Sequence, residues 1–190
     1  MNNIVFFDTE TTGFVRKGEL IQPGQARCVQ LGALLTDALG NELARVNEII
    51  QPDGWTVPDA VAQIHGITTE IAQQKGKPAK EVFGMFQPLV DKADMVVAHN
   101  FSYDDSIMNI EQAFGHLTWQ VKASFCTMKE STDYCAIPKK QGWGGFKWPK
   151  LQEAHKHFFG EFFDDAHDAF ADLLATKRVY FELVRIRSGA

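Results

Sequence analysis

Ile4 to Phe7 is an unbroken apolar run that stops at Asp8-Thr9-Glu10-Thr11-Thr12-Gly13, the pattern of a buried strand whose C-terminal end carries polar groups. Arg27 to Thr36 and Glu42 to Gln51 are two further strand candidates, joined through Leu39-Gly40-Asn41, and this predicts an antiparallel meander after the first strand. Beyond Pro58 the period becomes helical. Short helices are predicted over Ala60 to His65 and Thr69 to Gln74, and a longer one over Ala79 to Lys92, where Val82, Phe83, Phe86 and Val90 recur at helical spacing. Met95 to Ala98 is again a short buried strand, running into His99-Asn100. Ser102 is placed as the cap of a helix whose inner face is Ile107, Ile110 and Phe114. Ser124 to Met128 is a fifth strand candidate, and residues 130 to 148 form a long loop rich in Lys, Gly and Trp. Pro149 to Phe159 and Asp168 to Arg187 follow as two helices, the last with Phe170, Leu173, Leu174, Phe181 and Val184 along one side. Strands first, then alternating helices and strands, predict an α/β architecture: a central mixed five-stranded sheet flanked by helices on both faces.

Composition narrows the class. A chain of 190 residues fits one compact domain, 1–190, able to bury roughly 70% of its unfolded surface. Apolar residues make up 45% and charged residues 23%, values that exclude a membrane protein and a disordered one. Three scattered cysteines, Cys28, Cys126 and Cys135, make neither a disulfide framework nor a C-x-x-C metal pair, and point to a reducing compartment. With no basic n-region or long apolar run at the start, the expected location is cytoplasmic. Lys plus Arg total 19 against 24 Asp plus Glu, a net charge of −5, which argues against a protein that grips long stretches of nucleic acid electrostatically.

The chemistry concentrates at acidic residues. Asp8 and Glu10 stand two apart at a strand end, so both carboxylates project from one side of the sheet and repel each other. A hard divalent cation such as Mg²⁺ is one remedy; a solvated strand end is the other. Asp104 falls in the first turn of the helix after Met95 to Ala98, where a carboxylate also suits the helix dipole, and Asp105 is an equal candidate. Asp172 falls one turn inside the last helix, and His167 precedes it by five residues. On a continuous helix the two would diverge by about 140° and flank a site. Singly, each has an ordinary structural explanation; the case for a site rests on all five together.

Phe7-Asp8-Thr9-Glu10-Thr11-Thr12-Gly13, then His99-Asn100-Phe101-Ser102-Tyr103-Asp104, then His167-Asp168-Ala169-Phe170-Ala171-Asp172 resemble the three exonuclease motifs of the DEDDh, or DnaQ-like, superfamily, which includes the proofreading subunit of the bacterial replicative polymerase. Ile64-His65-Gly66-Ile67-Thr68 and Cys126-Thr127 are also similar to segments of that family. The resemblance implies a ribonuclease H-like fold and a 3′-to-5′ exonuclease that releases nucleoside 5′-monophosphates. It implies that Asp8, Glu10, Asp104 and Asp172 hold two divalent metal ions, Mg²⁺ or Mn²⁺, and that His167 is the general base. The related tyrosine subclass would need a Tyr at Asp168. A histidine with its ordinary pKa near about 6.5 accepts the proton of an attacking water when neutral.

The resemblance further implies substrate contacts from Thr9, Thr11, Thr12, Ile64 and His65, with Tyr103 and Phe101 able to stack on a base or to serve as core. Lys139 to Trp148 combines cations and aromatics, Trp143 and Lys147 among them, as single-strand binding surfaces do, or anchors the following helix. The expected substrate is the 3′ end of single-stranded nucleic acid, DNA before RNA, with no membrane partner; a polymerase or a second copy of the chain is left open. A polymerase proofreading subunit and an exoribonuclease are alternatives within the enzyme class, and a catalytically silent nucleic-acid-binding module is the alternative outside it. Two bound divalent cations would bring the net charge from −5 to about −1, so affinity for a strand end would depend on metal.

Overall fold

The computed structural model describes residues 3–139 and 144–189. Its sheet has the order β3-β2-β1-β4-β5. The central strand β1 (Ile4–Thr11) pairs antiparallel with β2 (Cys28–Thr36), and β2 pairs antiparallel with β3 (Glu42–Ile49). On its other side β1 pairs in parallel with β4 (Met95–Ala98), which pairs in parallel with β5 (Ser124–Cys126). The helices are α1 (Asp59–His65), α2 (Thr69–Lys75), α3 (Ala79–Lys92), α4 (Phe101–Ala113), α5 (Thr127–Glu130), α6 (Thr132–Cys135), α7 (Leu151–Phe159) and α8 (Ala169–Arg187). The chain therefore has the expected mixed five-stranded α/β architecture.

Strand alternation decides which helix each residue of β1 meets. Val5 and Phe7 join a core with Val82, Phe83 and Phe86 of α3 and Ile107, Met108 and Ile110 of α4. Ile4 and Phe6 point the other way, onto Leu173 and Tyr180 of α8. Each large side chain so buried contributes roughly 1.5–3 kcal/mol. Continuing the same alternation, Asp8 and Glu10 fall on the α8 face, while Thr9 and Thr11 are buried toward α3 and α4.

The strand outlasts its apolar run. Asp8, Thr9 and Glu10 pair with Gly32, Leu31 and Gln30, and a register irregularity follows between Glu10 and Thr11. The ladder with β2 thus carries polar residues to the sheet's end, as expected of a strand whose C-terminal end is polar. Opposite Asp8, a Cβ added to Gly32 would lie 2.7 Å from the carbonyl oxygen of Ala169 and 2.9 Å from Leu173. The missing side chain lets the first turn of α8 rest directly on the sheet. Gly32→Ala is expected to cost about 1–3 kcal/mol through overpacking and to lower activity by pushing the start of α8 away from Asp8. Chemical denaturation and a kcat measurement check this.

Three local expectations are corrected. Asn100, not Ser102, caps α4: it takes a left-handed backbone with φ 69°, and the Ser102 hydroxyl donates to its side chain at 3.3 Å. The fifth strand ends at Cys126, because Thr127 enters α5 and its hydroxyl donates to the carbonyl oxygen of Ala98 at 3.4 Å. Leu174 and Val184 are 41% and 42% exposed, since the buried face of α8 runs through Leu173, Thr176, Val179, Tyr180 and Leu183. Within the long loop, Thr132–Cys135 forms α6, while Trp143 lies outside the described residues. No described helix is long and apolar enough to cross a membrane.

Candidate active site

At the C-terminal ends of β1 and β4 a cleft of about 480 Å³ is lined by Asp8, Glu10, His65, His99, His167 and Asp172, among others. The acids on β1 are presented by strand alternation; those on helices are placed by caps. Asp168 is the N-cap of α8: its Oδ1 accepts the backbone N–H groups of Phe170 and Ala171, each at 3.0 Å. Its Oδ2 accepts the Gln30 side-chain amide at 2.9 Å, and Gln30 in turn accepts the backbone N–H of Ala169 at 3.3 Å. A β2 side chain therefore clamps the first turn of α8, and Asp172 sits in that turn, aimed at the acids of β1.

His167 lies outside the helix. It precedes the cap with φ 72°, and Asp165 before it has φ 56°, so the angular divergence expected on a continuous helix does not apply. The left-handed turn instead folds His167 back toward the cluster. Its backbone N–H donates to Asp172 Oδ1 at 3.3 Å, and ligand atoms of Glu10, His167 and Asp172 all lie within 4.8 Å of one another.

Asp104 approaches from the other side of the sheet. Only 3% exposed, it stands in the first turn of α4 and accepts the Thr9 hydroxyl at 2.8 Å. Asp105, the competing candidate, accepts the Trp119 indole N–H at 2.8 Å and so belongs to the packing of α4. The structure thus brings Asp8, Glu10, His167 and Asp172 to one cleft wall and sets Asp104 just behind it.

Burial and neighbouring charge raise the pKa of all four acids. Burial, then repulsion from Asp104, Asp172 and Glu10, pushes the Asp8 carboxyl well above the usual range. Burial and the charges of Asp172 and Asp104 push Glu10 up to about 8. Burial raises Asp104 to about 7 despite the Thr9 hydrogen bond, and raises Asp172 to about 6 despite the N–H of His167. Such a set is unfavourable as bare anions and becomes favourable around hard cations, whose preferred ligands are carboxylate oxygens. The donor set therefore fits divalent metal.

The threonine hydroxyls hold the strand end in place. Thr9 bonds Asp104; Thr11 Oγ1 lies 2.6 Å from the Tyr103 hydroxyl, which donates to the Gly13 carbonyl at 2.7 Å. Thr12 Oγ1 accepts the Arg27 N–H at 3.0 Å. Tyr103 and the threonines thereby fix the Thr12-Gly13 turn, and Tyr103, Thr9 and Thr11 also line the cleft. Ile64 is 55% exposed on the cleft wall. His65 Nδ1 accepts the Ile67 N–H at 3.1 Å, which assigns the ring proton to Nε2.

One cleft residue, Phe14, escapes the reading of the sequence. Phe14 is 92% exposed on the rim, and its signal is a large apolar side chain placed directly after a glycine turn. His99 bonds Thr127 Oγ1 and the Pro149 carbonyl, each at 3.0 Å, and burial lowers it to about 4, so it is neutral. Lys147, expected as a candidate strand contact, is paired with Glu153 at 2.6 Å.

Known proteins place this geometry. The chain is 26% identical over 179 residues to an uncharacterized exonuclease, CP81, of Escherichia phage 186, covering 90% of this chain and 83% of that one. E. coli exonuclease I, in a zinc-bound complex with single-stranded DNA, superposes with a TM-score of 0.72 at 23% identity, over 100% of this chain and 41% of that one. The same enzyme in complex with a dT13 oligonucleotide gives 0.73 at 23% identity and 42% of that chain. The chain thus spans about two-fifths of exonuclease I, and the likeness establishes a ribonuclease H-like fold. With the RNase_T exonuclease family matched across residues 5–180, and the acids and histidine of all three motifs gathered at one sheet end, the chain belongs to that family, within the DEDDh or DnaQ-like superfamily.

Proposed function

We propose that this chain is a metal-dependent 3′-to-5′ exonuclease that hydrolyses the terminal phosphodiester of single-stranded nucleic acid, DNA before RNA, and releases nucleoside 5′-monophosphates. The observation that carries it is the placement of Glu10, His167 and Asp172 within 4.8 Å of one another, with Asp8 on the same cleft wall. Preference for DNA is supported by the single-stranded DNA complexes of exonuclease I.

Asp8, Glu10, Asp104 and Asp172 are the residues that would hold two divalent ions, Mg²⁺ or Mn²⁺. When bound, such ions lower the pKa of water and neutralise charge on the attacking and leaving oxygens. The protein's own groups do the rest. The His167 ring nitrogen takes the proton of the attacking water, and the Asp172 carboxylate, tied to the backbone of His167, keeps that ring beside the cluster. Exposed Phe14 and Ile64 offer apolar faces to the terminal base, worth about 1–3 kcal/mol for a stacked ring. The Thr12-Gly13 turn, held by Arg27 and Tyr103, keeps the wall beneath the sugar rigid.

Labelled single-stranded DNA, duplex DNA and RNA, each with Mg²⁺, Mn²⁺ or chelator, test this by mononucleotide release. Metal-dependent release from the 3′ end, fastest on single-stranded DNA, is expected. Release from the 5′ end overturns the polarity, and no hydrolysis with either metal favours a binding module.

A further inference from the structure

A second cavity of about 480 Å³ opens on the α3 and α4 side of the sheet, distinct from the catalytic cleft. Arg27, directly before β2, forms part of its wall. Glu111, almost fully buried, takes Arg27 Nε and Nη2 at 3.0 and 3.1 Å. The guanidinium lies 4.0 Å from the Phe114 ring centroid and 5.7 Å from that of Trp55. The fork to Glu111 leaves Arg27 Nη1 without a hydrogen-bond partner among the described residues. His116 Nδ1 lies 2.7 Å from the Glu111 carboxylate, and Lys80 on the rim makes no ion pair with the described residues.

The cavity therefore combines the Arg27 Nη1 and Lys80 Nζ donors with the Trp55 ring within one small volume. Nitrogen donors call for phosphate oxygens, and aromatic or guanidinium faces call for a base. Glu111 cancels the charge of Arg27, and Asp53 on the rim opposes Lys80, so the balance suits a single phosphodiester or monoester and disfavours a di- or triphosphate. A direct link joins it to the cleft. Thr12 N–H donates to the Arg27 carbonyl at 3.0 Å while Arg27 N–H donates to Thr12 Oγ1 at 3.0 Å, and Thr11, Gly13 and Phe14 beside Thr12 line the catalytic cleft.

We propose that this cavity is an accessory nucleotide subsite that binds one phosphate and one base, supplied by an upstream unit of the strand or by a free mononucleotide. It deepens the exonuclease reading by giving the enzyme a hold on the strand behind the scissile end, and its binding arm is independent of hydrolysis.

The test uses the wild-type protein in chelator, so that nothing is cleaved. Thymidine 5′-monophosphate and 5′-labelled oligothymidylates of increasing length are titrated, with the Trp55 indole resonance, identified by its loss in Trp55→Phe, and fluorescence anisotropy as readouts. Oligonucleotides beyond a threshold length are expected to shift the Trp55 resonance, and Lys80→Glu to weaken their binding about tenfold. A shift with the mononucleotide as well assigns the site to free nucleotide; a shift only above the threshold assigns it to the strand. A Trp55 resonance unmoved by every probe, or wild-type affinity in a Lys80→Glu protein with an unchanged melting curve, overturns the proposal. Absent hydrolysis in the metal assay would instead count against the exonuclease reading alone.

Discussion

Asp8→Asn is expected to lower the rate of hydrolysis about a thousandfold while raising the melting temperature of the metal-free protein at pH 8. The catalytic loss follows from removing a carboxylate from a site whose ions supply several kcal/mol of charge stabilisation, at 1.36 kcal/mol per tenfold. The stability gain follows from removing a carboxyl that burial, and then repulsion from Asp104, Asp172 and Glu10, pushes well above the usual range. Glu10 moves from 4.5 to about 8 and Asp172 from 3.8 to about 6. Between about pH 4 and pH 8 the folded, metal-free chain consequently holds more protons than the unfolded one. The stability these groups contribute is full below about pH 4 and is lost as pH rises through that window. Asparagine at position 8 removes one partner of the repulsion, so the gain is largest near pH 8 and vanishes near pH 4. Thermal melts in chelator across that range check it, with about 2–4 °C expected for each kcal/mol relieved. The same melts with Mg²⁺ should show a wild-type stabilisation that grows with pH and is reduced in the variant. A variant no more stable than wild type at pH 8 would mean the acids do not strain one another.

His167→Ala is expected to lower kcat by about 10²–10⁴, the range for a positioned general base, while the stabilisation by Mg²⁺ is largely retained. The separation follows from geometry. The residue's backbone N–H, which alanine keeps, ties the loop to Asp172 at 3.3 Å; only the ring is lost. Single-turnover hydrolysis distinguishes loss of the proton acceptor from loss of substrate binding, which would raise KM instead. If the Mg²⁺-induced shift in melting temperature disappeared with the ring, His167 would be a metal ligand, a role its position beside Glu10 and Asp172 also permits.

Much of the fold was legible because the signals were local. Apolar runs located β1, β2, β3 and β4, and helical spacing located α3 and α8, each within a few residues. Boundaries failed where another segment decided them. β5 stops at Cys126 because Thr127 turns into α5 and bonds the Ala98 carbonyl, and the exposure of Leu174 follows from how α8 lies across the sheet. At the site, the acids stood out as types and spacings, whereas Gln30, which holds Asp168 and Ala169 from another strand, carried no local mark. Phe14 had only its place after the Gly13 turn to mark it, since exposure depends on what the rest of the chain leaves uncovered.

From its sequence this chain determined the α/β class, the elements in their order and the residue types able to hold metal and move a proton, because periodicity and side-chain chemistry belong to short stretches. Tertiary structure alone decided that Asp104 bonds Thr9 while Asp105 turns to Trp119, that His167 folds back beside Glu10 through a left-handed turn, and that Gly32 lets α8 rest on β2. Those outcomes rest on contacts between residues far apart in the chain, where charge, desolvation and close packing act through distance in space.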